Sequence, residues 1–275
     1  KLTQKICQAD NADAPISVRV NTMKCTPAEA QAELEAAGLT VQPHEAFPEI
    51  LLCSGGDAAA LPAFIEGRMT VQDAASALAA AVADPKPGST VLDCCAAPGG
   101  KSFAAAMQME NTGSILSCDL HAHKISLIEK NAARLGISII EAEQRSAAEF
   151  EPALEKQFDL VIADVPCSGL GIIRKKPDIR WKDPAQLAQL PAVQLSILNN
   201  VSAYVRPGGV LVYATCTVLP EENGGVVSAF LDVHPDFAKE EFTLPGIGSC
   251  PGDVTLWPQR TGTDGFYICR MRRRG

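Results

Sequence analysis

Residues 89–120, STVLDCCAAPGGKSFAAAMQMENTGSILSCDL, decide the fold that we predict for this chain. The stretch opens with an apolar strand (89–95), continues through a glycine-rich loop into a helix that begins at Lys101, and closes with a second apolar strand (113–120). Two apolar strands joined by a helix predict a parallel βαβ unit. Ligands of such sheets bind at the carboxyl ends of the strands, so the glycine-rich loop is a candidate binding site.

The same alternation of helices and strands continues through the rest of the chain. Helices are predicted at 72–84, 123–136 and 183–205, the last one interrupted by Pro191, and further strands at 137–143, 158–165 and 209–216. We therefore predict an α/β fold with a parallel, doubly wound sheet.

The first part of the chain has a different pattern. Residues 1–68 are predicted to form a small α+β domain, with a strand at 17–21 and a helix at 26–38 that Thr26 caps and Gly38 ends. The remaining residues, 69–275, then form the larger α/β domain.

Composition narrows the possible classes of protein. The 275 residues are 47% hydrophobic and 20% charged, which is typical of a folded globular protein. No apolar run approaches the roughly 18 residues that a membrane span requires, and the start KLTQKICQAD is not a signal peptide. Ten cysteines occur without a C-x-x-C pair, so neither a disulfide framework nor a zinc site is favoured. We expect a cytoplasmic protein without metal or membrane contact.

The glycine-rich loop allows several interpretations. A P-loop requires glycine where Cys95 stands, and the dinucleotide pattern G-x-G-x-x-G fails because only Gly99 and Gly100 are present. An S-adenosylmethionine loop requires an acidic residue at the end of the next strand to hold the ribose, and Asp119 meets that requirement. A simple turn in any α/β domain remains open, so the loop alone favours a nucleotide-like ligand only modestly.

Two further strand ends carry reactive groups. Asp164 and Cys167 follow the strand at 158–165, and Cys216 ends the strand at 209–216. A single cysteine at such a place is more often structural than catalytic. Two thiols at strand ends beside a predicted cofactor loop indicate nucleophilic chemistry.

The motifs LDCCAAPGGKS (92–102), DVPCSG (164–169) and YATCTV (213–218) together resemble the RNA cytosine-C5 methyltransferases of the NOL1/NOP2/Sun family. The resemblance is strongest to the bacterial members that modify 16S ribosomal RNA. It extends to RVN (19–21), LPAFIEGRMTVQDAAS (61–76), IRKKPDIRW (173–181), LPEEN (219–223) and TDGFY (263–267). It implies a Rossmann-like class I S-adenosylmethionine-dependent methyltransferase sheet, preceded by an RRM-like domain that seats RNA. The bacterial members also carry an N-terminal helical domain, which we expect to be missing here.

The resemblance also implies catalytic roles. Cys216 would be the nucleophile that adds to C6 of cytosine, which makes C5 able to attack the methyl donor. Cys167 would help to release the product from the covalent adduct. Asp164 would hold the N3 side of the base or the amino group of the cofactor, and Lys101 would act beside it. DNA cytosine methyltransferases use the cysteine of the P-C motif instead, so Cys216 distinguishes the two classes.

The cofactor site follows from the same resemblance. The expected contacts with S-adenosylmethionine are Cys95, Ala96, Ala97, Pro98, Gly99, Gly100, Lys101, Asp119 and Asp164. One position departs from the family, because Arg145 stands where an aspartate beside the adenine is usual. Either Glu143, Gln144 or Ser146 replaces that aspartate, or the affinity for the cofactor is lower.

The net charge of −8 means that RNA binding must rely on local patches. The candidate RNA contacts are Arg19, Arg174, Lys175, Lys176, Arg180 and Trp181, with Lys182 beside them. Trp181 offers a stacking surface for a base. The expected partner of the monomer is 16S ribosomal RNA or a small-subunit particle. The alternatives are the same chemistry on transfer RNA or another ribosomal site, or a non-catalytic RNA-binding assembly factor.

Overall fold

The N-terminal domain is built on a small four-stranded sheet. The computed structural model describes residues 1–45 and 47–275. The first elements are α1 (Leu2–Asp10), β1 (Ile16–Val20), α2 (Pro27–Ala36), β2 (Thr40–His44), β3 (Phe47–Ser54), α3 (Pro62–Ile65) and β4 (Met69–Val71). The strands are antiparallel in the order β2-β3-β1-β4, the ferredoxin-like arrangement that an RRM-like domain also has. Thr26 caps α2 as predicted, accepting a hydrogen bond from the Glu29 backbone N–H at 3.3 Å.

The boundary between the two domains lies further along the chain than the sequence indicated. We predicted that the larger domain begins at residue 69, but β4 (Met69–Val71) pairs with β1, with Val18 opposite Val71. The small sheet therefore includes residues up to 71. One of its faces packs on α2 through Val18, Val20 and Leu34, whereas Ile50 on the other face joins the core of the larger domain.

The larger domain is built on an eight-stranded sheet in the order β10-β14-β9-β8-β5-β6-β7, with β13 paired to β14. Its elements are α4 (Ala74–Ala83), β5 (Thr90–Asp93), α5 (Gly100–Gln108), β6 (Ser114–Asp119), α6 (Ala122–Leu135), β7 (Ile140–Gln144), β8 (Phe158–Asp164), α7 (Pro184–Leu187), α8 (Leu190–Ser202), β9 (Val205–Thr215), α9 (Gly224–Val233), β10 (Phe237–Lys239), β11 (Phe242–Leu244), β12 (Gly248–Cys250), β13 (Asp253–Leu256), α10 (Pro258–Thr261) and β14 (Phe266–Arg273). In the described part of the chain, no helix is long and apolar enough to cross a membrane.

The predicted doubly wound sheet is confirmed, with one addition. Strands β5 to β9 run parallel, and all of them except the edge strand β7 are buried on both faces. In β5, Val91 faces the core under α4, α5 and α6, and Leu92 faces the core under α8 and α9. The addition is a set of antiparallel strands: β14 runs antiparallel to β9, and β10 and β13 each run antiparallel to β14. The order of strands reverses at β5, so the ends of β5 and β8 flank the crevice where ligands of such sheets bind.

A buried polar clamp fixes the small domain against the larger one. The Asn21 side-chain amide, fully buried, donates hydrogen bonds at 2.8 Å to the carbonyls of both Gly67 and Leu135. Gly67 has φ of +73°, and a Cβ there would lie 1.9 Å from the Arg134 carbonyl oxygen, so only glycine allows this approach. The two domains therefore present one continuous framework to the crevice.

Candidate active site

Two thiols meet at the carboxyl edge of the parallel sheet. Cys216 directly follows β9, and Cys167 lies in the loop after β8, the strand beside it. Their Sγ atoms are 3.2 Å apart, and both residues are half-buried. The adjacent ends of two parallel strands thus bring together the two cysteines that the sequence separates by 49 positions.

A lysine and a carboxylate lie next to the thiols. Lys101 Nζ donates to Asp164 Oδ2 at 2.5 Å and to Ser76 Oγ at 2.9 Å, and lies 5.3 Å from the centre of the Phe266 ring. Burial disfavours the lysine charge, but the Asp164 carboxylate outweighs this effect, so the pKa of Lys101 is raised. Lys101 therefore contributes a fixed ammonium group to the site, with a positive charge that a neutral amine would lack.

The two thiols differ in acidity. The hydrogen bond from Cys167, opposed by burial and supported by the Lys101 charge, lowers the pKa of Cys216 below that of an ordinary thiol. The hydrogen bond with Cys216, together with burial, raises the pKa of Cys167 well above its usual range. Cys216 is therefore the more acidic thiol of the pair and Cys167 the one that keeps its proton to higher pH, an order that would suit a nucleophile beside a proton donor.

The glycine-rich loop is anchored between two strand ends. The Ala96 backbone N–H donates to the Cys118 carbonyl at 2.8 Å, so the loop bends towards β6. Gly99 has φ of +108°, and a Cβ there would lie 2.3 Å from the Phe103 ring. The loop also ends at the N-terminus of α5, where backbone N–H groups face the crevice. Cys95, Ala97 and Gly100 are half-buried, and Pro98 is exposed, so much of the stretch 95–100 is accessible to solvent.

The predicted ribose acid lies on the same side of the crevice. Asp119, the last residue of β6, is largely buried, and its Oδ1 accepts a hydrogen bond from the His121 backbone N–H at 3.1 Å. Lys124 Nζ lies 3.4 Å from the same oxygen. These contacts hold the carboxylate in place at the strand end.

Arg145 does not leave an unbalanced charge where the family has an aspartate. Its guanidinium donates to Glu143 Oε2 at 2.7 Å and to Glu151 Oε2 at 3.1 Å, and its backbone N–H donates to the Asp119 carbonyl at 3.0 Å. The hydrogen bond with Glu143 raises the pKa of Arg145 further. This position thus holds an arginine between two glutamates, and the carboxylate nearest to it is that of Glu143.

Most of the predicted RNA patch is already engaged in contacts within the protein. Arg174 Nε donates to Asp264 Oδ1 at 2.6 Å, and Lys175 forms ion pairs with both Asp264 and Asp73. Arg180 donates to the Asn11 side chain at 2.8 Å. These cations fasten the segment after Cys167 to the rest of the domain. Lys182 Nζ donates to the Ser168 carbonyl at 2.7 Å.

Residues 175, 176 and 180–182 are all exposed, but Lys176 and Trp181 take no part in the contacts that hold the other cations of that patch. Lys176 is exposed, and Trp181 has 86% of its surface accessible. A large aromatic side chain so exposed has a free face on which a base can stack.

Arg19 is misplaced in the predicted RNA patch. Its side chain is only 3% exposed, because β1 is covered on both faces. Its Nε donates to Gln72 Oε1 at 2.5 Å, and Gln72 Nε2 donates to the Gly100 carbonyl at 2.9 Å. Arg19 thus connects the small domain to the glycine-rich loop and has no surface for RNA.

Sequence reasoning assigned no role to several residues that shape the site. They are Ser76 and Phe266 beside Lys101, Asp264 under the basic segment, and Glu222 and Asn223 behind the thiols. All five fall within segments that carried the family resemblance: 61–76, 219–223 and 263–267. The signal was present, but only the fold shows which residues each of them contacts.

A family model described as 16S rRNA methyltransferase RsmB/F matches residues 80–272, and the ferredoxin-like domain of RsmF/B-like methyltransferases matches residues 1–56. This chain belongs to the RsmB/F family. The predicted resemblance to this family and the predicted fold class are therefore confirmed. S-adenosylmethionine is the cofactor that membership in this methyltransferase family implies.

Individual relatives agree with the family. The probable ribosomal RNA small subunit methyltransferase B of Bacillus subtilis (strain 168) is 41% identical over 282 residues, which cover 99% of this chain and 63% of the relative. The chain thus spans less than two thirds of the length of that relative. A methyltransferase homolog from Pyrococcus horikoshii is 28% identical with a TM-score of 0.84, covering 98% of this chain and 90% of its own. NSun6 from the same organism, solved with SFG, is 22% identical with a TM-score of 0.87, covers 100% and 94%, and shares the fold.

The residues present fit the cofactor of the RsmB/F family. Gly99, the N-cap residue of α5, has no side chain with which to cap the helix, so the first backbone N–H groups of α5 can serve a ligand. The Asp119 carboxylate, fixed at the end of β6, can accept hydrogen bonds from ribose hydroxyls. Both groups would hold the cofactor within the crevice that also contains Lys101 and the thiol pair.

Proposed function

We propose that this chain methylates C5 of a cytosine in RNA, most specifically in 16S ribosomal RNA, through a covalent adduct between Cys216 and C6 of the base. The observation that carries the proposal is the thiol pair, with its Sγ atoms 3.2 Å apart beside the Lys101–Asp164 ion pair. A non-catalytic RNA-binding factor has no need of two aligned thiols of opposite acidity. Membership in the RsmB/F family supports the ribosomal substrate.

The chemistry uses the two thiols in turn. The Cys216 thiolate adds to C6 of cytosine, and the electron pair of the C5–C6 bond then makes C5 nucleophilic. S-adenosylmethionine supplies the methyl group to C5. A base removes the proton from C5, the C5–C6 double bond re-forms, and the Cys216 sulfur leaves as a thiolate. Cys167, whose sulfur lies 3.2 Å from that of Cys216, keeps its proton and stabilises the departing thiolate by donating a hydrogen bond to it.

Asp164 and Lys101 act on the pyrimidine side of the site. Asp164 accepts the Lys101 ammonium through Oδ2, and its side chain is 27% exposed towards the crevice. We assign it to the N3 edge and amino group of the base. Protonation or hydrogen bonding there draws electrons from the ring, which favours attack at C6. Lys101 holds Asp164 in place and lowers the pKa of Cys216 with the same charge.

The RNA reaches this site by way of exposed residues near Cys167. We assign Trp181 to stacking on a base and Lys176 to a phosphate contact, because both remain exposed while Arg174 and Lys175 are paired. The target cytosine must be unstacked to reach a half-buried thiol, so the substrate is a single-stranded or flipped nucleotide.

The test is methyl transfer from labelled S-adenosylmethionine to 16S RNA fragments, followed by nucleoside analysis. Wild type should produce 5-methylcytosine, Cys216→Ala should lose roughly 1000-fold or more in rate, and Cys167→Ala should accumulate a protein–RNA adduct that survives denaturation. Full activity of Cys216→Ala would refute the assigned nucleophile and move that role to Cys167. Cofactor binding without any methyl transfer by wild type would favour the binding-factor alternative.

A further inference from the structure

Two adjacent residues behind the thiol pair hold hydrogen bonds to both cysteine loops. Glu222 and Asn223 lie between β9 and α9, and they are 1% and 2% exposed. Neither is close enough to the crevice surface to meet a substrate directly. Their contacts nevertheless reach the residues on either side of each cysteine.

Glu222 holds the loop that contains Cys167. Its Oε2 accepts a hydrogen bond from the Ser168 backbone N–H at 2.9 Å, immediately after the cysteine. The same oxygen accepts from Gln194 Nε2 at 2.8 Å, and Gln194 Nε2 also donates to the Pro166 carbonyl at 3.0 Å, immediately before the cysteine. The backbone of Cys167 is therefore fixed from both sides by one buried carboxylate and one buried amide.

Asn223 holds the loop that contains Cys216. Thr215 Oγ1 donates to Asn223 Oδ1 at 2.6 Å, and Asn223 Nδ2 donates to the Thr217 carbonyl at 3.1 Å. Asn223 also occupies the N-cap position of α9, where asparagine ordinarily accepts a hydrogen bond from the first turn. Its side chain makes no such capping bond. Asn223 therefore does not cap α9; instead, its side-chain oxygen and nitrogen bond to Thr215 and Thr217, the two neighbours of Cys216.

A third contact joins the two loops directly. Ser168 Oγ donates to Thr217 Oγ1 at 2.7 Å, and Thr217 Oγ1 lies 3.5 Å from Glu222 Oε1. Ser168, Thr217 and Glu222 are all buried. Because consecutive residues of one chain hold both loops, the spacing of the loops depends on a single short segment.

We infer that Glu222 and Asn223 form a thiol clamp, a pair of positioning residues that sets the distance between the Cys167 and Cys216 sulfurs and thereby the release of the covalent adduct. The part that concerns release rests on the function proposed above; the part that concerns distance does not. Loosening the clamp should separate the proton donor from the sulfur that leaves. Adduct formation, which needs only Cys216, should suffer less than adduct release.

The distance is measured without RNA or cofactor, by oxidation of the folded protein with the azo oxidant diamide. A bond forms between the two sulfurs while two protons and two electrons pass to the N=N bond of diamide, which becomes a hydrazine. Peptide mapping by mass spectrometry follows the Cys167–Cys216 crosslink. Wild type should form it readily, and Glu222→Ala and Asn223→Ala should form it roughly 10- to 100-fold more slowly, the loss expected from a misplacement of about 1 Å. Glu222→Gln keeps an acceptor for Ser168 and should restore most of the rate.

Glu221→Gln is the matched control, because Glu221 is the exposed neighbour in the same segment. It should crosslink like wild type. Circular dichroism checks folding, and if an alanine variant does not fold, Ser168→Ala takes its place because it removes only the bond between the loops. An unchanged or faster crosslinking rate in the folded variants would overturn the clamp.

The methylation assay then separates the clamp from the proposed function. Folded Glu222→Ala should trap a larger fraction of enzyme as denaturation-resistant RNA adduct than wild type does, and Glu221→Gln should not. Slower crosslinking together with no methyl transfer by wild type would leave the clamp standing and refute the proposed function. Normal methylation by wild type and an unchanged adduct fraction in Glu222→Ala would refute the role of the clamp in release.

Discussion

In the part of the chain that the structure describes, two pairs of thiols lie close together, and the pairs differ in acidity and burial. Cys167 and Cys216 lie on separate loops with their sulfurs 3.2 Å apart, and the Lys101 ammonium acts on Cys216. Cys94 and Cys95 are neighbours in the chain with their sulfurs 4.0 Å apart. The hydrogen bond with Cys95 and burial raise the pKa of Cys94 well above that of an ordinary thiol, and the Asp93 carboxylate adds to the effect.

The contrast shows what makes a thiol a nucleophile in this fold. Both pairs lie at the carboxyl edge of the sheet, so position alone does not separate them. The main difference is the effect of the hydrogen bond between the two sulfurs, which favours the thiolate of Cys216 and disfavours that of Cys94. At Cys216 the Lys101 charge also opposes burial and Asp164, whereas burial and Asp93 both act against the Cys94 thiolate. The loop of one pair can therefore serve the cofactor while the other pair serves the substrate.

The largest expected effect is on alkylation by iodoacetamide at neutral pH. Each pKa unit changes the thiolate fraction of a protonated thiol by about tenfold, and the two thiols are shifted in opposite directions. Cys216 should therefore react roughly 1000-fold faster than Cys94, which is also almost fully buried. Quantitative mass spectrometry of the labelled peptides in native protein gives both rates, and urea-unfolded protein is the control in which they should converge. Comparable rates in the native protein would contradict the predicted difference in acidity between Cys216 and Cys94.

A smaller effect is expected when the cation is removed by Lys101→Met. A nearby opposite charge shifts a pKa by about 1–3 units, so without it the pKa of Cys216 should rise. The alkylation of Cys216 should then slow by roughly 10- to 100-fold at pH 7, and its acid limb should move to higher pH. Lys101→Arg, which keeps a positive charge, should retain a lower pKa than Lys101→Met does. An unshifted pH profile in Lys101→Met would show that the Cys167 hydrogen bond alone activates Cys216.

Sequence patterns predicted the sheet and the thiols because both depend on local chemistry. The apolar strands at 89–95 and 209–216 are identified by their own residues, and the carboxyl-edge rule then places Cys216 in the crevice. The pattern could not show that β14 runs antiparallel or that β4 belongs to the small sheet, since strand pairing over long separations leaves no periodic signal.

The errors in the RNA patch have a different cause. Arg19 and Arg174 look like surface cations in the sequence, but Gln72 and Asp264, distant in the chain, bury and pair them. The charge of a residue alone does not distinguish an exposed cation that can bind a phosphate from a cation that forms an ion pair between two loops. The partners of Asn223 were equally hidden, because its position at the start of α9 predicts a helix cap.

The smallest expected effect concerns stability, and it tests the anion beside the second pair of thiols. Burial, opposed by the hydrogen bond from Ser102 at 2.7 Å and by the Lys101 charge, raises the pKa of Asp93 to about 6. A carboxyl whose pKa is raised by folding adds stability while it is protonated, and that contribution is lost as the pH rises through about 6. The free energy of unfolding of wild type should therefore fall by about 2 kcal/mol relative to Asp93→Asn between pH 4 and pH 7. Urea unfolding at several pH values measures the difference, with Asp178→Asn as an exposed control that should follow wild type. Parallel pH curves for wild type and Asp93→Asn would mean that Asp93 stays ionised in the fold, and the anion beside Cys94 would then be present throughout this range.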